Sequence, residues 1–477
     1  MKKIFYLFIA VLFFAACTKD ISSYNDETKQ AANVPAGTLF SNAVRNVSDA
    51  MASASVNTNP LRFTIKHWAM AVYQDEAQYD FSTRNIPQAW WTIMYRDVLN
   101  DLKESSRIIE ENVNPTFDPV VKSNQLAIID IMQVYVYNIL VNTFGDVPYT
   151  EALDPDNLFP KYDDAKTIYA DLLSRLASDI SKLDPSKGGF SVSEDRIYGG
   201  DVAKWKVFAN TLSLKMGMII ADADDATAKA TVEAADAGAM ASADDNAAFS
   251  YLTATPNTNP LYADIVLGGR GDYVASEDLM DQLIDLNDPR KAQFFGTNNA
   301  GDYHGGVVGT VNTYADMSKP SDAVSAADAP VVLLDYIETE FYRAEAIERG
   351  YNVAGTAEEH YNNGIRASIL FWGGTDAEAD TYLAQPEVAY ATAAGNWKEK
   401  IAFQKWIGLY NRPFEGWIEY RRLDYPVLPL AVGAAVGFPN RYQYPNNEQQ
   451  LNGTNYTSAS SAIGEDKVET KLWWDKF

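Results

Sequence analysis

The chain has 477 residues, 39 basic against 64 acidic, a formal net charge of −25 and a single cysteine. That acidic balance argues against nucleic acid as a partner, because phosphates demand basic patches. One thiol excludes disulfides within the chain and any cysteine metal site, so the fold must rest on its apolar core.

Met1-Lys2-Lys3 gives a basic start, Ile4–Phe14 an unbroken apolar run, and Ala15-Ala16 the small residues that precede a cleavage. Residues 1–16 therefore read as a signal peptide. The run is too short for a ~30 Å hydrocarbon core, which takes roughly 20 apolar residues. Phe14-Ala15-Ala16-Cys17 resembles a lipobox, so Cys17 is the expected lipidation site and the only expected membrane attachment. The polar stretch 17–36, acidic through Asp20, Asp26 and Glu27, reads as a flexible tether. Residues 37–477 are expected to form one domain.

That domain reads as mainly α. In the helix expected over Pro87–Glu111, Trp91, Met94, Tyr95, Val98, Leu102 and Ile109 form the apolar stripe, and Trp90 falls on another face. Ile128, Ile131, Met132, Tyr135 and Ile139 mark a second long helix. Ala165–Leu183 and Asp201–Ala221 are expected to pair antiparallel. The latter has Asp201 as N-cap and the stripe Trp205, Phe208, Leu212, Met216, Ile219. A second pair is expected from Leu334–Arg349 and Ala357–Phe371, ended by Gly373-Gly374. Helix pairs of this size resemble tetratricopeptide hairpins, although the repeat consensus is poor. Residues 241–330 are rich in Gly, Asn, Asp and Pro. They suit loops and small strands, such as Tyr262–Leu267 and Val307–Val311, around one helix at Ser276–Leu286. Irregular segments of this kind, laid over one face of a helical scaffold, are where binding sites tend to sit.

No catalytic constellation stands out. His67, His304 and His360 are far apart in sequence and show no metal-ligand spacing. Gly305-Gly306-Val307-Val308-Gly309-Thr310 has no lysine for a phosphate loop, and no Gly-x-Ser-x-Gly elbow occurs. Arg270-Gly271-Asp272 reads as a turn that starts the next helix. No cofactor pattern is found. With 28 tyrosines and 10 tryptophans, the chain is rich in flat rings with a polar edge, which suit sugar faces. The ligand-contact candidates are Trp90, off its helix stripe; Tyr79, before that helix; Tyr303 and His304, beside the glycine loop; and Trp372, at the Gly373-Gly374 stop. Many carboxylates leave a glycoside hydrolase open as an alternative. A non-catalytic helical-repeat adaptor is another.

Four segments, in order, resemble the SusD/RagB family of nutrient-binding outer-membrane lipoproteins. They are Thr143-Phe144-Gly145-Asp146-Val147-Pro148-Tyr149-Thr150-Glu151-Ala152; Glu338 to Ala346; Gly416-Trp417-Ile418-Glu419-Tyr420-Arg421-Arg422; and Pro439-Asn440-Arg441-Tyr442-Gln443-Tyr444-Pro445. Asp285-Leu286-Asn287-Asp288-Pro289-Arg290 is similar to a further family element. The local physics of these segments is structural: Gly145 suits a helix stop, Asp146 a turn acceptor, and Trp417 and Arg421 lie one turn apart. The resemblance implies a scaffold of tetratricopeptide-like helix pairs and passive capture of a glycan, oligosaccharide or peptide. It implies anchorage in the outer membrane facing outward, and a SusC-like TonB-dependent transporter as partner. No family motif carries ligand residues onto this chain.

Overall fold

A computed structural model describes residues 34–477. The expected signal peptide and Cys17 lie outside the described residues. The chain from Ala36 onward is mainly helical: α1 (Ala36–Ala52), α2 (residues 86–110), α3 (Pro119–Phe144), α4 (Ala165–Lys182), α5 (Val202–Ile219) and α6 (Asp225–Ala235) lead into the loop-rich segment. Beyond α7 (Glu277–Asp285) come α8 (Tyr336–Glu348), α9 (Ala357–Phe371), α10 (Asp376–Leu383), α11 (Trp397–Gly408) and α12 (Pro413–Leu423), then α13 (Asn446–Leu451) and α14 (Gly453–Ala462).

Side-chain caps define many of the starts. Asp201 accepts from the Ala203 and Lys204 N–H groups at α5, Ser276 from Leu279 at α7, and Asp335 from Glu338 at α8. Leu334, assigned to the α8 stripe by its spacing, instead ends strand β4 (Val331–Leu334). The α8–α9 pair forms as its stripes predict. The other expected pair, α4 and α5, is also in contact, but α4 packs more extensively on α3, and α5 on α6. Spacing identifies an apolar face but not which neighbour covers it.

Helix α3 is long and apolar enough to cross a membrane by length and composition, yet most of its apolar window is buried inside the protein. It is sheathed by α2, α4 and α5 and forms the centre of one apolar cluster. A second cluster gathers α7, α8, α9 and α11 around Trp68, Tyr273 and Tyr410. Two small antiparallel sheets complete the loop-rich side. β1 (Trp68–Met70) pairs with β3 (Tyr273–Ala275), Trp68 opposite Ala275. β2 (Ala247–Phe249) pairs with β4, Ala247 opposite Leu334, with an irregularity after Ala247. Tyr262–Leu267, expected as a small strand, is a wide helical turn. Arg270-Gly271-Asp272 leads into β3, not directly into a helix.

Candidate functional site

The β1–β3 strand pair places the candidate site. Its ends fix the start of one loop, residues 71–85, and the end of another, residues 268–272. The first loop is strained: Tyr73, Tyr79 and Asn85 all have left-handed φ, at +66°, +71° and +52°. Bulky residues rarely adopt that region, and strain of this kind collects at ligand clamps. Tyr73 is 55% exposed.

Tyr73 lines an open cleft of about 580 Å³ with Val72, Arg84, Arg270 and Asp272. The Arg84 guanidinium lies 5.9 Å from the Tyr73 ring centre and its Nε donates to the buried Glu76 carboxylate. Arg270 grips Asp272 with two hydrogen bonds and lies 4.8 Å from the Tyr273 ring. Each guanidinium thus has its own carboxylate, and the cleft is polar without a strong net charge. Gly271 brings the backbone close to the Tyr314 ring, 3.7 Å from where a Cβ would stand. Asn312 ties the adjoining loop to the strand pair, donating to the Met70 carbonyl at 2.8 Å. The arrangement offers aromatic faces, guanidinium donors and carboxylate acceptors to a neutral, hydroxyl-rich ligand.

The sequence candidates are scattered. Trp90 is fully buried, stacked on Phe414 at 5.9 Å and edge-on to Tyr442 at 6.4 Å. Its helix is packed on two sides, so leaving the main stripe moved it to a second interior face, and it is withdrawn as a ligand contact. Tyr79 is also buried. Its hydroxyl accepts from the Ala431 N–H at 3.1 Å, and burial pushes its pKa up to about 12, so it pins two loops together. Tyr303 is half-buried beneath Lys291, 5.1 Å from its ring. His304 is exposed and bound through its backbone to Ser318. Neither Tyr303 nor His304 lines the cleft. Trp372 is half-buried and lines a separate cavity. The spacing of residues gave no signal for Tyr73 or Arg84. The glycines of 268–271 were the one available hint.

A protein-family model described as SusD-like, "Starch-binding associating with outer membrane", matches residues 28–445. The chain belongs to the SusD-like family. Among solved structures, this SusD-like chain is similar to a chitin-binding protein at 28% identity and TM-score 0.79, covering 93% of this chain and 100% of that one. A chitin-binding SusD homolog from Flavobacterium johnsoniae shares the fold at 22% identity and TM-score 0.77, with 92% and 98% covered. So does a SusD homolog from Bacteroides uniformis at 24% identity and TM-score 0.77, with 92% and 99% covered. No curated protein sequence matches.

The SusD-like signatures serve the interior. Gly145 closes α3 at φ +86° and ψ −123°, a conformation open essentially to glycine. Asp146 accepts from Ala165 N–H at 2.8 Å, fixing the start of α4. The Arg421 guanidinium lies 3.6 Å over the Trp417 ring. Arg422 is clamped by Glu345 and Glu419, and Arg441 donates to the Phe144 carbonyl at 2.8 Å. Among the described residues no group of three His, Asp or Glu side chains is arranged to hold a metal ion.

Proposed function

We propose that this SusD-like protein is a lipid-anchored, outward-facing outer-membrane protein that captures a neutral glycan in the Tyr73 cleft. It then delivers the glycan to a SusC-like TonB-dependent transporter. The observation that carries the reading is the exposed Tyr73 ring, held in a strained conformation beside the Arg84 guanidinium. Family membership and the chitin-binding relative support a carbohydrate ligand. Exposed Val72 lines the cleft, exposed Val311 precedes Asn312, whose N–H donates to the Ala71 carbonyl at 3.2 Å, and the N–H of exposed Val432 donates to the Val308 carbonyl at 3.0 Å. This rim offers a contact surface for the transporter. Capture without cleavage is favoured over hydrolysis. Glycoside cleavage needs two carboxyl groups flanking the bond. Among the described residues Asp272 is the one carboxylate lining the cleft, and Arg270 holds it.

The test is calorimetric titration of the purified protein with chito-, malto- and cello-oligosaccharides, followed by chromatography for products. Tyr73→Ala should weaken binding by about 1 kcal/mol, several-fold in Kd, with little change in stability. Unchanged affinity in that variant moves the site elsewhere. Released product replaces the binding reading with the hydrolase.

A further inference from the structure

A second concavity, of about 400 Å³, lies between the end of α9, strand β4 and the α11–α12 turn, and is more closed than the cleft. Its volume is within the range of small-ligand pockets. The lining divides into three kinds of group.

The first kind is aromatic. Trp372 and Phe371 are the accessible rings, and Phe371 is 40% exposed. Deeper in, Phe414 is backed by the buried Trp90. Tyr410 also lines the cavity. Its hydroxyl donates to the Phe294 carbonyl at 3.1 Å and accepts from Trp68 Nε1 at 3.0 Å, which locks the ring in place.

The second kind is charged, each charge facing an opposite one. Arg412 faces Asp335 at 2.9 Å and Glu338 at 2.8 Å, and Glu415 is held by Lys215. Arg62, which bonds Asn411 at 2.8 Å, adds one positive charge just behind the wall. The cavity therefore favours neither an anion nor a cation.

The third kind is neutral and polar. Asn411 sits at φ +65°. Its Oδ1 accepts from Arg62, while its Nδ2 has no partner among the described residues. The Gln293 side-chain amide and the Trp372 indole N–H likewise have none, and all three are accessible. These are mostly donors. Met51, Ala52 and Val331 supply wall with no side-chain partner for a hydroxyl. A ring carrying hydroxyls all round would lose water there without replacement, whereas a methyl group would not. An acetamido substituent combines that methyl with one carbonyl acceptor and one N–H donor.

We propose that this cavity binds the acetamido-bearing end ring of a glycan chain, with Trp372 as the stacking face and Asn411 and Gln293 as the amide partners. The closed shape selects a chain end, while the open Tyr73 cleft accommodates chain interiors. The inference rests on the glycan-binding reading.

The experiment titrates the mature protein with N,N′-diacetylchitobiose, cellobiose and chito- and malto-hexaose, monitoring heat and tryptophan fluorescence. The variants are Ala323→Trp, which fills the cavity mouth from an exposed position, Trp372→Ala, and the cleft variant Tyr73→Ala, each checked by thermal melt. Diacetylchitobiose should bind at least tenfold more tightly than cellobiose. Ala323→Trp and Trp372→Ala should each weaken it at least tenfold, and Tyr73→Ala should weaken it no more than several-fold. Equal affinity for the two disaccharides, or full diacetylchitobiose affinity in a folded Ala323→Trp, overturns the cavity assignment. If hexaoses still bind and depend on Tyr73, only this inference fails. If no saccharide binds the wild-type protein, the glycan reading fails and takes the inference with it.

Discussion

Trp90 is the residue where spacing and structure part most instructively. A 3.6-residue period separates it from Trp91 correctly, but both rings are interior. Trp91 meets Phe144 at 5.0 Å while Trp90 meets Phe414 on the other side. Trp90→Ala should cost roughly 3–5 kcal/mol in urea unfolding. Because Phe414 lines the cavity, the surviving fold should also bind diacetylchitobiose more weakly. A stable Trp90→Ala protein would contradict its place in the core. His67 gives a pH prediction. Burial drives its imidazole down from 6.5 to about 3, although the hydrogen bond to the Trp406 carbonyl pulls the other way. The folded pKa lies below the unfolded one, so the unfolded chain binds the proton first. The stability this histidine contributes is complete above about pH 6.5 and is lost as pH falls toward 3. His67→Gln should flatten the decline in unfolding free energy between pH 6.5 and 4; an identical slope would count against it.

Among elements, α2 and the α8–α12 contact carry the arguments. α2 is continuous but opens into wide turns over Ile93–Leu99. Such i→i+5 turns shift the faces that a strict helical period assigns, which is one reason its faces were only half legible. By contrast α5 was legible from the Asp201 cap and its stripe, and α8 and α9 from their apolar spacing, because these signals act locally. What joins α8 to α12 is buried charge. Glu345 and Glu419 hold Arg422 from two sides, and Tyr342 donates to Glu419 at 2.8 Å. Burial pushes the Glu345 carboxyl upward, but the Arg422 charge and hydrogen bonds outweigh it and hold the pKa at about 2. Glu345→Ala leaves a buried guanidinium short of a partner and should cost about 3–5 kcal/mol in chemical denaturation. Arg107→Ala removes exposed pairs with Glu104 and Glu111 and should change stability little. Equal losses in the two variants would show that the buried network is not what binds α8 to α12.

At the scale of the whole molecule, the predictions concern attachment and partnership. Cys17→Ala should shift the protein from the membrane fraction to the soluble periplasmic or medium fraction and abolish labelling with a fatty-acid analogue. Retention with the lipid label intact would sink the lipobox reading. Mild-detergent extraction of native membranes should recover a complex with a barrel transporter. Replacing exposed Val311 and Val432 with Asp should reduce that recovery while leaving oligosaccharide binding by the purified protein unchanged. Recovery of the monomer alone from wild-type membranes would count against the partnership.

The helical class, most helix starts and the family were readable in the sequence because caps, periodic stripes and the four signatures are local patterns. Gly145 acts through a backbone conformation that essentially one residue type adopts, and the Trp417–Arg421 stack joins residues one turn apart. The site was not readable in that way. Tyr73 and Arg84 meet Arg270 and Asp272 only because β1 pairs with β3 across some two hundred residues of chain. Trp372 meets Asn411 only where α9 ends against the α11–α12 turn. Whether a tyrosine or tryptophan is core or contact depends on what covers its ring, and that is set by tertiary packing.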